Sequence, residues 1–254
     1  MPQWVVSWIL VGLAIWPLLQ VERWIHKHIQ GLGLLLTNNP QAAVLIYYLL
    51  LLPGVALHEA SQWLLAKMLG VKVKQFRIWP EQQRADIRLG LVEIDKKTDI
   101  VRATLVGMVP LATGLAAIAL IGSTRFNTAA LLEGLFSGDL PTIIAGLNVF
   151  MSTPDFWLWV YLVFAIANAM LPEPHDRISW PLLGGVIAGI VAFLLILDLS
   201  VLLSFWVEGP LAQLAHWLSL ALIIALVTDL LFMALIAGME WLFSILLNRE
   251  LEYN

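Results

Sequence analysis

The sequence contains no cysteine, which excludes disulfides and thiolate metal sites and leaves the redox state of its compartment unread. Charge is scarce too. Only 13% of the 254 residues are charged, where soluble domains carry about 25%. The net charge of −4 argues against nucleic acid as a partner. The opening residues, Met1-Pro2-Gln3-Trp4-Val5-Val6, lack the basic stretch and the small-residue cleavage site of a signal peptide, so the first apolar segment reads as a retained span. What is abundant is hydrophobic, 60% of all residues. Several runs approach the ~20 residues needed to cross a ~30 Å hydrocarbon core. The pattern predicts an all-α polytopic integral membrane protein, a single domain in the lipid bilayer with about six transmembrane helices.

Within that domain of residues 1–254, spans are expected at residues 4–19, 43–69, 100–121, 156–171, 181–205 and 211–247. Pro17 is expected to end or kink the first. Residues 20–40 interleave Trp24, Ile25, Ile29 and Leu32 with Glu22, Arg23, Lys27 and His28, the pattern of an amphipathic helix lying in the interface. His26 and His28 are two apart and fall on different faces, which argues against shared metal ligation. Residues 70–99 are polar, and Val71, Val73, Ile78, Ala85, Ile87, Leu89 and Leu91 follow period two. They predict a small β-hairpin of two short strands around Pro80-Glu81-Gln82-Gln83. Nine of the fourteen Lys and Arg residues lie between Lys67 and Arg102. The positive-inside rule therefore puts this loop in the cytoplasm and, with six spans, both termini with it. Gly107, Pro110 and Gly114 suit a third span packed closely within a bundle. Residues 123–155 read as a mixed outer loop. The final stretch, about 55 Å long as one helix, is expected to break near Gly238 or to project beyond the membrane.

The residues that carry chemistry lie inside the second span, in Leu57-His58-Glu59-Ala60-Ser61-Gln62-Trp63. Ionisable groups at bilayer depth cost several kcal/mol, so such a cluster marks a site. On a helix, His58 and Gln62 share a face with Glu59 beside them. The zinc-protease pattern His-Glu-x-x-His has this spacing, with Gln62 standing where the second ligand His belongs. Asp198 and Asp229 fall deep in the last two spans, where pairing or snorkelling is expected and a proton or ion path is the alternative. His216 has no second His at a matching depth to make a haem or chlorin site.

Three segments together resemble the site-2 protease family of intramembrane zinc metalloproteases. His58-Glu59 with Gln62, running into Ala66-Lys67-Met68-Leu69-Gly70-Val71-Lys72-Val73, looks like the family's metal helix followed by its cytoplasmic hairpin. Gly107-Met108-Val109-Pro110 with Gly114 is similar to the small-residue helix packed against it. Asn168-Ala169-Met170-Leu171-Pro172 with Asp176 is similar to the family's Asn-Pro-Asp motif. The resemblance implies two His and one Asp holding zinc with an open position for water, and a Glu that takes the water's proton. By position, His58 and Asp176 would be ligands, Glu59 the base, and Asn168 a residue orienting the unwound substrate. Gln62 breaks the pattern, because a neutral amide oxygen is a poor zinc donor beside imidazole. Zinc affinity is expected to fall sharply, with His175 the remaining candidate for a substitute ligand. The leading expectation is a degenerate, catalytically silent relative that serves as a binding or structural subunit of a membrane assembly, with membrane-protein partners or a transmembrane peptide. Its hairpin edge, Val71 to Ile78, would take that peptide as an added strand. An active zinc endopeptidase and a proton-conducting or ion-conducting subunit are the alternatives.

Overall fold

The structure, a computed structural model, describes residues 3–77, 81–83, 86–88, 91–95, 98–126, 139–171, 185, 189, 192–193, 196–197 and 200–248. His175, Asp176 and Asp198, and most of the expected fifth span, lie outside the described residues.

Helix α1 (Gln3–Thr37) runs unbroken through Pro17. The expected stop does not occur, because a membrane helix tolerates the proline's lost hydrogen bond where neighbouring helices support it. The interfacial helix expected at residues 20–40 is the continuation of α1. Its apolar residues Ile25, Ile29 and Leu32 are buried, and they share a core with Tyr47, Tyr48, Leu51 and Val55 in the case of Ile25 and Ile29. Of its polar residues Glu22, His26 and His28 are partly buried against the bundle, while Arg23 and Lys27 are exposed. Asn38, at φ 52°, reverses the chain, and Asn39 caps the next helix by accepting from the Gln41 N–H at 2.9 Å. Pro40 then opens α2 (Pro40–Met68).

After α2, Gly70 takes a left-handed φ of 68°, and the Val71 N–H returns to the Ala66 carbonyl at 2.8 Å. Two antiparallel pairings follow, one nested inside the other. The outer joins β1 (Val73–Arg77) to β4 (Leu91–Ile94), with Val73 opposite Ile94 and an irregularity before Gln75. The inner joins β2 (Glu81–Gln83) to β3 (Asp86–Arg88). Residues 81–83, expected to turn, are therefore strand. Val71, Val73 and Ile94 pack with Ala66 and Val106 to seat the outer pair on the helices.

Asp99 caps α3 (Ile100–Thr124), accepting from the Arg102 N–H at 3.0 Å. The loop expected at residues 123–155 contains a helix, α4 (Leu140–Met151), capped by Asp139 through the Thr142 N–H at 3.3 Å and its hydroxyl at 2.6 Å. An 88° bend separates α4 from α5 (Phe156–Ala167). Phe126, Phe150 and Phe156 fill the bend, with centroids 4.8 to 5.9 Å apart. The expected fourth span is thus shortened. Twelve helical residues reach only about 18 Å, well under the ~30 Å of a hydrocarbon core. Helix α6 (Ser200–Glu208) leads through Gly209 into α7 (Pro210–Leu247), which is continuous through Gly238.

Four described helices are long and apolar enough to cross a membrane, and the bent α4–α5 pair makes a fifth if taken as one span. The four long helices touch in a closed cycle, α1 to α2 to α3 to α7 and back to α1. The short α5 packs against α2, α3 and α7. Val163, Phe164, Ala165 and Ala167 on it are buried almost completely. A half-length helix therefore ends inside the bundle.

Candidate functional site

A helix end leaves its last carbonyls without intrahelical partners, and inside a membrane they must find others. At the end of α5 two histidines from two different helices supply them. His26 of α1 donates from Nε2 to the Asn168 carbonyl at 3.0 Å. His58 of α2 donates from Nδ1 to the next carbonyl, that of Ala169, at 2.6 Å. These bonds also set the tautomers. His26 keeps its proton on Nε2 and accepts at Nδ1 from the Tyr47 hydroxyl, 2.6 Å away. In neutral His58 the proton sits on Nδ1, held by a backbone carbonyl as the outer nitrogen of a metal-bound imidazole would be.

Close backbone approach brings these groups together. At Gly54 an added Cβ would lie 1.8 Å from the Ala165 carbonyl oxygen, so α2 and α5 meet there with no room for a side chain. At Gly114 an added Cβ would lie 2.5 Å from Met170 Cβ, which brings α3 equally close to the α5 end. Glu59 and Gln62, flanking His58 on α2, are both buried, and the Ser61 hydroxyl donates to the His58 carbonyl at 2.8 Å.

Asn168 is turned toward α7. Its Nδ2 donates to the Phe164 carbonyl at 2.9 Å and to Asp229 Oδ1 at 2.7 Å. Both side chains are buried, Asp229 completely. The role implied for Asn168, orienting an unwound substrate, has to contend with an amide already committed to α7. Asp229, for which pairing or snorkelling is the expectation, is bonded to Asn168 in the structure. His216 is exposed on α7 and meets Trp217 edge-on, with centroids 6.2 Å apart.

Of the zinc ligands implied by the resemblance, His58 and Gln62 are described, while His175 and Asp176 are not. Among the described residues no three His, Cys, Asp or Glu side chains are grouped to hold a metal ion. At the two positions on α2 where the zinc pattern has histidines stand one imidazole and one neutral amide, the amide a poor zinc donor.

The sequence reading missed His26, Glu22 and Tyr47. Glu22 and His26 lie four apart on one face of α1, with Glu22 Oε1 3.9 Å from His26 Nε2. That spacing was legible, but treating the segment as interfacial assigned both to water. Farther along α1, His28 stacks on Trp24 at 3.8 Å and pairs with Glu240 of α7 at 2.5 Å. Comparison of the chain with protein-family models, with curated proteins and with solved structures returns no match.

Proposed function

We propose that this chain is a site-2-protease-like membrane protein with a degenerate metal centre, acting as a binding or structural subunit of a membrane assembly. The observation that carries this reading is the bond from His58 Nδ1 to the Ala169 carbonyl, with Gln62 in the place of a second imidazole. It keeps the histidine in the geometry of a metal ligand while giving it a purely structural task, closing the end of α5. A carbonyl at a helix end inside a membrane must find a donor, and half-buried His58 supplies it here. On this reading Glu59 has no bound water to deprotonate, and Asn168 serves the α5–α7 contact. The fuller architecture of six spans, a cytoplasmic strand loop and both termini inside belongs to the same proposal. A partner peptide would add to the edge of the strand loop at Val71 to Ile78, of which Ile78 lies outside the described residues.

The test is the zinc content of full-length protein purified without added metal, beside Gln62→His and His58→Ala. The expected result is no zinc in the native chain and zinc regained by Gln62→His, dependent on His58. Near-stoichiometric zinc in the native chain that disappears in His58→Ala overturns the proposal. It would favour the endopeptidase with Glu59 as base and Asp176 or His175 completing the ligands. Because the chain has no cysteine, single cysteines placed at each loop can be labelled from either side to test the orientation.

A further inference from the structure

The centre of the bundle holds more buried acceptors than donors. Asn168 spends both amide hydrogens, on the Phe164 carbonyl and on Asp229 Oδ1. This fixes its orientation, so Asn168 Oδ1 can only accept. Asn168 Oδ1 and Asp229 Oδ2 are both buried, and neither has a hydrogen-bond partner among the described residues. Nor does any Lys or Arg pair with Asp229 among them. An ionised Asp229 would be an uncompensated charge in the membrane interior. Hard cations require about six oxygen ligands, far more than these two side chains offer. A proton on Oδ2 removes the charge and converts an acceptor into a donor.

The surroundings supply a route for that proton. Helix α1 presents Glu22 and His26, 3.9 Å apart, and His26 holds the Asn168 carbonyl. Helix α2 presents Tyr47, bonded to His26. Helix α5 contributes Asn168, which does not titrate, and carries Tyr161 about two turns earlier. The one titratable group on α3, Arg102, lies in its first turn against Asp99 at 3.2 Å. On α7, Glu240 is paired with His28. The His26 and Glu22 side chains are 28% and 16% exposed, whereas Asp229 is sealed. Asp229 and Asn168 are thus sealed while His26 and Glu22 are partly exposed, and the four residues span three helices.

We propose that Asp229 and Asn168 form an exchangeable proton-binding site at the centre of the bundle, loaded and unloaded through His26 and Glu22. In loading, an O–H bond forms at Asp229 Oδ2. The corresponding N–H or O–H bond breaks on a protonated His26 or Glu22, which returns to the neutral ring or the carboxylate. No other reactant is needed. The site is independent of the zinc question, since none of its groups is a ligand candidate.

The test is infrared spectroscopy of the full-length protein in lipid nanodiscs, transferred from H₂O to D₂O. The expected spectrum has a protonated-carboxyl C=O band that shifts in D₂O and is absent from Asp229→Asn. Labelling aspartate with ¹³C identifies the band as aspartate in the native chain, and Asn168→Ala should move its frequency. Glu22→Gln and His26→Gln should keep the band but slow its deuterium shift at least tenfold. A carboxyl region identical in native protein and Asp229→Asn overturns the proposal. So does a band that never exchanges, or one that exchanges equally fast in all variants.

Discussion

Gly54→Ala is the sharpest probe of how the bundle holds its central helix. The new methyl would sit 1.8 Å from the Ala165 oxygen, 2.5 Å from its carbon and 2.8 Å from Ala169 Cβ. Carbon and oxygen need more than 3 Å, and two of the three obstacles are backbone atoms that cannot rotate aside. Helices α2 and α5 must therefore part by roughly 1 to 1.5 Å, on the scale of ordinary non-bonded contact distances. That separation stretches the 2.6 Å bond from His58 to the Ala169 carbonyl beyond hydrogen-bonding range. Overpacking costs about 1–3 kcal/mol. The lost bond and the re-exposed carbonyl cost about another 1–3 kcal/mol. Alanine's better helix propensity returns about 1 kcal/mol. The expected net loss is about 1–5 kcal/mol, measured as thermal or denaturant unfolding in detergent micelles. Two glycines serve as controls. At Gly122 the methyl meets only the flexible tip of Ile224, at 2.4 Å, and a rotamer change of about 0.5–1.5 kcal/mol relieves it. At Gly12 it meets nothing within 4 Å, so Gly12→Ala should gain up to about 1 kcal/mol. If Gly54→Ala melts with Gly12→Ala, the close contact of α2 and α5 is wrong.

Asp229→Asn should fold with stability equal to or above the native chain, since its amide can keep the Asn168 contact and supply a donor. Asp229→Leu should lose about 1–3 kcal/mol by stranding an Asn168 N–H, read from the same melts. Phe126→Ala removes the buried ring at the α4–α5 bend and should cost about 3–5 kcal/mol. A loss below ~1 kcal/mol would mean that the bend does not rest on this cluster.

Much of the membrane architecture was legible because hydropathy over 20 or more residues outweighs local detail, as in α2, α3 and α7. The misreadings came where a local rule met a tertiary contact. Pro17 reads as a kink or an end, yet α1 does not end there, and the helix is packed on α7. Glu22 and His26 read as polar residues seeking water, but the carbonyl that His26 satisfies is 142 positions away. Residues 140–151 read as loop, although Asp139, Pro141 and Thr142 form a helix start. For the candidate site, His58, Glu59 and Gln62 were identified by spacing alone. What no spacing could reveal is that Asn168 faces α7, because that depends on how a helix too short to span is rotated within the bundle.

That short helix also sets an order of assembly. Its ~18 Å of length cannot cross the bilayer by itself. The residues that accept it (His26, Gly54, His58 and Gly114) all precede it in the chain, whereas Asp229 comes 61 positions after Asn168. During synthesis α1, α2 and α3 can therefore present an open cradle before α5 emerges. In that order of synthesis the half-helix would dock into the cradle, and α7, made after it, would close the wall. Biogenesis of this protein is thus a problem of sequential docking within the membrane, with the last long helix acting as the latch.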